Sequence, residues 1–292
     1  MINLIFFTVF LCQVILISMI YSKKMCDQSM HILETCPPSD YPKLYENSKY
    51  AYPGKRLRER FRNHYWLSLT IGICGLLLLT AMLITGYAPS RTKENGHIVF
   101  VVLFFVLQSI PYILHAVTTQ NWHRNIRGSG ILPTRKADLR PRKILDFIPP
   151  TYIATAALAF IGWLTYYLYN KGLTIAWDWQ TYVTVVGVTV INLIMIAVGL
   201  NYFRGKKFGP YQAYEDQKKS IETLFRVFVF ASVMLSLHLA VAEAINQNGW
   251  DEYEPLVLSL YFQAVIIFGL GEVMRRSKIE NMDFSVYQKG QL

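Results

Sequence analysis

The chain alternates between long apolar runs and shorter polar connectors. Seven runs stand out, at 3–20, 65–88, 97–119, 148–170, 180–203, 222–246 and 255–274. Each is close to the ~20 residues a helix needs to cross ~30 Å of hydrocarbon at ~1.5 Å per residue. Within each run the apolar residues extend nearly all round the helix, where a helix on a soluble core would show a single stripe. The pattern predicts an all-α integral membrane bundle of seven transmembrane helices. It reads as a single transmembrane domain over 1–292, with its soluble mass in the connectors 21–64, 120–147 and 204–221.

Composition agrees with the pattern. Of 292 residues, 53% are hydrophobic and 16% charged, against roughly a quarter charged in ordinary soluble proteins. The net charge of +10 would suit a nucleic-acid partner if it formed one patch, but it is sorted by connector. Lys and Arg number nine in 21–64, seven in 120–147, five in 204–221 and four after 274; connectors 89–96, 171–179 and 247–254 carry two, one and none. The alternate sides of the membrane thus hold 25 and 3, with Arg226 inside a span. Positively charged loops stay cytoplasmic, which predicts the N-terminus outside and the C-terminus cytoplasmic. The basic excess is a topology signal with affinity for anionic inner-leaflet lipids of the bilayer, and no nucleic-acid partner is expected.

The first run has no basic residue before it, Lys23 and Lys24 directly after it, and no small-x-small cleavage site, so it reads as an uncleaved anchor. Cys12 and Cys74 fall within spans and Cys26 and Cys36 on the reducing side, where disulfides are not expected. The C-x9-C spacing of the latter pair, with only His31 between, does not match a zinc site. No metal or cofactor is expected. After span 1, YSKKMCDQSMHILETC keeps a helical rhythm until Pro37 and Pro38 stop it. Gly128, Gly130 and Pro133 break the connector 120–147. Asp146 is the expected N-cap of the fourth helix, with Pro149 and Pro150 in its first turn.

Three stretches occur in combination: CPPSDYPKLY (36–45), the basic run RLRERFR (56–62) leading into span 2, and LRPRKILDFIPP (139–150) leading into span 4. With them the chain resembles, over most of its length, a family of bacterial inner-membrane proteins without assigned function. The resemblance implies a bacterial inner membrane and brings no catalytic residues with it.

Candidate chemistry lies in the few polar residues inside the apolar runs. LFFVLQSIPYILHAVTT (103–119) places Gln108, Tyr112, His115 and Thr119 within an arc of ~60° at ~100° per residue. Pro111 frees the carbonyl of Leu107 beside Gln108. Lipid cannot satisfy such groups, so this stripe is expected to face protein or water. Asn192 and Gln263 are the amides near the middle of spans 5 and 7. A cavity lined by Gln108, Tyr112, His115, Asn192 and Gln263 and opening to the cytoplasm is one expectation; hydrogen bonding that only joins helices is the other. Arg226 and Glu272 sit near the cytoplasmic ends of their spans as an expected ion pair. Ser232, Ser236, Ala240 and Glu243 share one face of span 6, a small-xxx-small pattern that admits a close neighbour.

Several chemistries are excluded. His115 and His238 differ in depth by roughly 20 Å and cannot grip one haem iron. Span 7 (LVLSLYFQAVIIFGLGEVM) has no lysine for a retinal Schiff base and no N-P-x-x-Y, and the chain has no H-E-x-x-H or Walker A motif. No catalytic motif is present. LFFVLQ (103–108) and LSLYFQ (258–263) align, which would pair spans 1–3 with 5–7 as parallel repeats. The sequence leaves two functional expectations. One is a small-solute transporter using the polar cavity. The other is a non-transporting scaffold or signalling component that docks a cytoplasmic or membrane protein partner through the basic loops.

Overall fold

The computed structural model describes residues 2–45, 53–86, 96–127, 143–172, 177–204, 214–277, 280 and 282–288, and among them all regular structure is helical. Among the described residues, seven helices are long and apolar enough to cross a membrane. Helices 1 to 7 are Ile2–Thr35, Gly54–Ile84, Ile98–His123, Pro150–Asn170, Trp179–Arg204, Glu215–Asn248 and Asp251–Arg276. Each apolar run of the sequence falls on one of them. The breaks expected at Gly128, Gly130 and Pro133 lie outside the described residues.

The helix ends follow local chemistry. Helix 1 continues well past its apolar run and stops at Thr35, ahead of Pro37 and Pro38, which cannot continue the ladder. Helix 4 corrects one expectation: its N-cap is Pro149, not Asp146. Pro149 and Pro150 have no N–H, so the first turn has fewer donors to satisfy. Asp146 instead closes the preceding turn, where its carboxylate accepts the Lys143 backbone N–H at 3.3 Å.

The chain divides into two compact units. The first comprises Met1–Leu139, Lys207–Gln217 and Met274–Leu292, and the second Arg140–Lys206 and Lys218–Val273. Helices 1–3 therefore belong to the first unit. Helix 3 buries Val101, Phe104, Gln108, Pro111, His115 and Thr118, and helix 2 buries Phe61, Ser68, Gly72, Gly75 and Leu79. Steps of three and four keep one seam facing the neighbouring helices, as in left-handed bundles. Two glycines set how closely helix 2 lies. A Cβ on Gly72 would come within 2.9 Å of the Ser18 Cβ, and one on Gly75 within 2.3 Å of the Phe104 ring.

Layers succeed one another along this seam. Phe6, Phe10, Phe100 and Phe104 form an aromatic layer, with Phe10 5.3 Å from both Phe100 and Phe104. A polar layer follows, then a histidine layer, then an apolar plug. Midway along helix 1, Val14–Tyr21 is π-helical. Its i→i+5 hydrogen bonds widen the turn and shift the buried face from Gln13 and Val14 to Ile17, Ser18 and Ser22.

In the second unit, Trp163, Tyr167 and Val188 form one cluster with Leu235 and Leu239 against it. Phe147, Phe203 and Ile221 form another. Gly199 gives room to Phe225, whose ring would lie 2.9 Å from an added Cβ. Both units leave large apolar side chains such as Leu77, Leu103, Leu158 and Leu193 more than half exposed, a surface suited to lipid.

Candidate functional site

The polar groups of helix 3 meet helices 1 and 2. Gln108 is fully buried. Its Oε1 accepts from Gln13 Nε2 at 3.0 Å and its Nε2 donates to Ser18 Oγ at 2.9 Å. One turn on, the Tyr112 hydroxyl donates to the carbonyl of Ile17. Ser68 of helix 2 donates to the carbonyl of Ser18 at 3.1 Å. Both accepting carbonyls lie in the π-helical stretch, where the wider turn makes backbone oxygens available to side chains from other helices. The apolar composition of helix 1 hides this role, because its backbone supplies the acceptors.

His115 is held one layer further along. Its Nε2 is 3.1 Å from Ser29 Oγ, and its ring lies 4.6 Å from that of Phe61. His64 of helix 2 stands edge-on to it at 6.2 Å. The Thr118 hydroxyl gives its proton to the Leu114 carbonyl at 2.8 Å. The same oxygen lies 3.0 Å from His64 Nε2. Thr118, one position from the expected Thr119, completes the buried stripe. Among the described residues no group of three or more His, Cys, Asp or Glu could hold a metal ion.

Beyond the histidines the first unit is plugged by an apolar cluster of Leu33, Cys36, Leu44, Tyr45, Phe61 and Tyr287. The Tyr45 hydroxyl donates to the Cys36 carbonyl at 2.7 Å, and Trp122 Nε1–H donates to the Leu44 carbonyl at 2.8 Å. The segment after helix 7 is tied across this end. Gln28 Nε2 donates to the Ser277 carbonyl at 2.7 Å, the Asp283 N–H to Asp216 at 2.9 Å, and Gln288 Nε2 to the Tyr41 hydroxyl at 3.1 Å. Burial pushes the Cys36 thiol up to about 11. Burial, then the neighbouring Cys36, takes Tyr45 to about 12. Burial, then the Asp216 carboxylate, takes Tyr287 to about 12.

The other expected residues lie in the second unit. Asn192 Oδ1 accepts from Ser232 Oγ at 2.6 Å, and its Nδ2 donates to the Val188 carbonyl at 2.9 Å. Ser232, Ser236 and Glu243 are buried and Ala240 packs against the Trp163 cluster, so the small-residue face of helix 6 faces inward. Glu243 meets Lys171 at 3.5 Å and accepts from Gln247 at 3.2 Å. Gln263 Nε2 lies 3.5 Å from Ser259 Oγ. For Arg226 the sequence suggests Glu272 as partner; its guanidinium carbon lies 5.5 Å from the centre of the Tyr152 ring. Glu272 stands in the last helical stretch of the chain, Gly271–Arg276.

Sequence reasoning missed Gln13, Ser18, Ser29, His64 and Ser68. Gln13 carried a signal, as an amide in the middle of an otherwise oily run. Ser18, Ser29 and Ser68 carried none, since serine in an apolar helix is as often bonded to its own backbone. Taken together, the molecule has the build of a multi-pass, all-helical membrane protein whose internal polar groups bond from helix to helix. No protein-family model matches the chain, and comparisons with curated proteins and with solved structures find no match.

Proposed function

We propose that the protein is a non-transporting scaffold or signalling component of a bacterial inner membrane, with its N-terminus outside and its C-terminus cytoplasmic. The observation that carries this reading is the enclosure of Gln108: at zero exposure its amide oxygen accepts from Gln13 and its amide nitrogen donates to Ser18, both on a neighbouring helix. A solute site needs polar groups that can exchange water for ligand, whereas these join helices. What is left for recognition is the basic cytoplasmic face. On helix 2, Lys55, Arg56, Arg58, Arg60 and Arg62 are exposed while Phe61 is buried and Leu57 packs inward. This arrangement suits an acidic protein partner at the membrane surface.

Thiol access at position 108 tests the reading. In a variant with Cys12, Cys26, Cys36 and Cys74 replaced by Ala, Gln108→Cys is expected to resist a small membrane-impermeant maleimide in native vesicles and to react after denaturation in SDS. Rapid labelling in native vesicles would overturn the scaffold reading and reinstate a water-filled site around Gln108, Tyr112 and His115. Reversal of Arg56, Arg60 and Arg62 to Glu is expected to change the size of the complex on native gels; Gln108→Leu is not.

A further inference from the structure

The turn between helices 6 and 7 builds a second feature, independent of the polar seam. Helix 6 ends at Asn248 and is closed by Gly249 at φ +65°, a left-handed conformation that favours glycine. The Trp250 N–H reaches back to the Ile245 carbonyl at 3.0 Å and the Gly249 N–H to Asn246 at 3.3 Å, a Schellman-type closure. Helix 7 then opens with a single 3-10 turn, Asp251–Tyr253, in which the Tyr253 N–H bonds the Trp250 carbonyl at 2.9 Å. This backbone sets Trp250, Glu252 and Tyr253 on the rim of a cleft of about 570 Å³, whose wall is formed by Val241, Ile245 and Val257. The size is within the ~300–1,000 Å³ range of small-ligand sites.

Three properties define what the cleft would take. Its wall is apolar and belongs to membrane-length helices, so it suits hydrocarbon. Its rim has two aromatic rings and one carboxylate, and aromatic faces attract cations. The connector 247–254 itself carries Asp251, Glu252 and Glu254 and no Lys or Arg, so a headgroup of net negative charge is disfavoured beside it. Tryptophan and tyrosine alone would be an ordinary interfacial belt; a carboxylate beside them over an apolar cleft is more selective.

We propose that this cleft binds an aminophospholipid, with an acyl chain along Val241, Ile245 and Val257 and the primary ammonium between Glu252 and the rings of Trp250 and Tyr253. The inference rests on helices 6 and 7 being membrane spans, and it is independent of whether the protein carries a solute. The carboxylate accepts N–H bonds from the ammonium, and the rings flank the same charge.

Quenching by lipids with brominated acyl chains tests it. The full-length protein is reconstituted in phosphatidylcholine with either brominated phosphatidylethanolamine or brominated phosphatidylglycerol, and the signal of Trp250 is taken as the difference between wild type and Trp250→Phe. The ethanolamine lipid is expected to quench Trp250 at about two- to fivefold lower mole fraction than the glycerol lipid, the size of an exposed cation–aromatic contact. Glu252→Gln, which keeps shape and removes charge, is expected to abolish that preference. Equal quenching by the two lipids, or a preference untouched by Glu252→Gln, overturns the proposal. A preference erased by millimolar free ethanolamine also overturns it, because the site would then read a soluble amine and not a lipid. If thiol labelling at position 108 sank the scaffold reading, this result would stand unchanged.

Discussion

Gln108 and Gln13 show what a buried amide pair does inside an apolar bundle. Gln13 donates to the Gln108 oxygen, and Gln108 in turn donates to Ser18. Losing one partner leaves a donor or acceptor stranded away from water, which costs more than removing both. Single variants Gln108→Leu or Gln13→Leu are therefore expected to lose about 0.6–1.7 kcal/mol, the range of interhelical hydrogen bonds in membranes. The double variant is expected to lose less than the two losses added. Thermal unfolding in detergent as a double-mutant cycle reads the coupling; strict additivity would mean that the pair contributes nothing. His115 sits in the same logic, since Ser29 and Phe61 occupy its polar edge and one ring face.

The π-helical stretch Val14–Tyr21 is the element that makes helix 1 different from its neighbours. A wide turn of this kind amounts to one residue more than an α-helix needs between two fixed faces. Deletion of the exposed Ile15 is therefore expected to restore α-helical geometry while Phe10 and Leu33 keep their partners. Deletion of the exposed Asp27, in the α-helical part Ser22–Thr35, would instead rotate the following turns by ~100° and carry Leu33 away from Phe61. Folded yield by size-exclusion chromatography distinguishes the two, and equal loss for both would contradict the role given to the wide turn. This element also marks the limit of what the sequence shows. The seven long helices were legible because hydrocarbon demands ~20 apolar residues whatever their order. The inward direction of Gln108, Tyr112 and His115 was legible because lipid satisfies no amide. Their partners were not, because backbone carbonyls of Ile17 and Ser18 carry no side-chain signature. Asp146 was misplaced because its carboxylate is taken up by its own 3-10 turn, on the Lys143 N–H, three residues before the Pro149 N-cap.

At the scale of the molecule, the plug that closes the first unit contains three groups that prefer to keep their protons. Cys36 rises from 9.0 to about 11, and Tyr45 and Tyr287 from 10.0 to about 12. A raised value in the folded state means that the fold binds the proton more tightly than the unfolded chain. Their contribution is thus complete below pH ~9 and is lost as pH climbs through ~11 to ~12. The expected outcome is that Cys36, as the single remaining thiol, is alkylated slowly at pH 8. As pH nears ~12 its rate should rise faster than its thiolate fraction, because Tyr45 and Tyr287 then ionise and the plug loosens. A rate that tracks thiolate fraction alone would show that the plug does not open. The plug also has a consequence in time. Leu33 and Phe61 are made early and Tyr287 only after the residues of all seven helices have been joined, so the cluster that all three share is completed last. A chain cut short before Tyr287 would leave bare the oily, aromatic surface of Leu33, Leu44 and Phe61 that this ring covers.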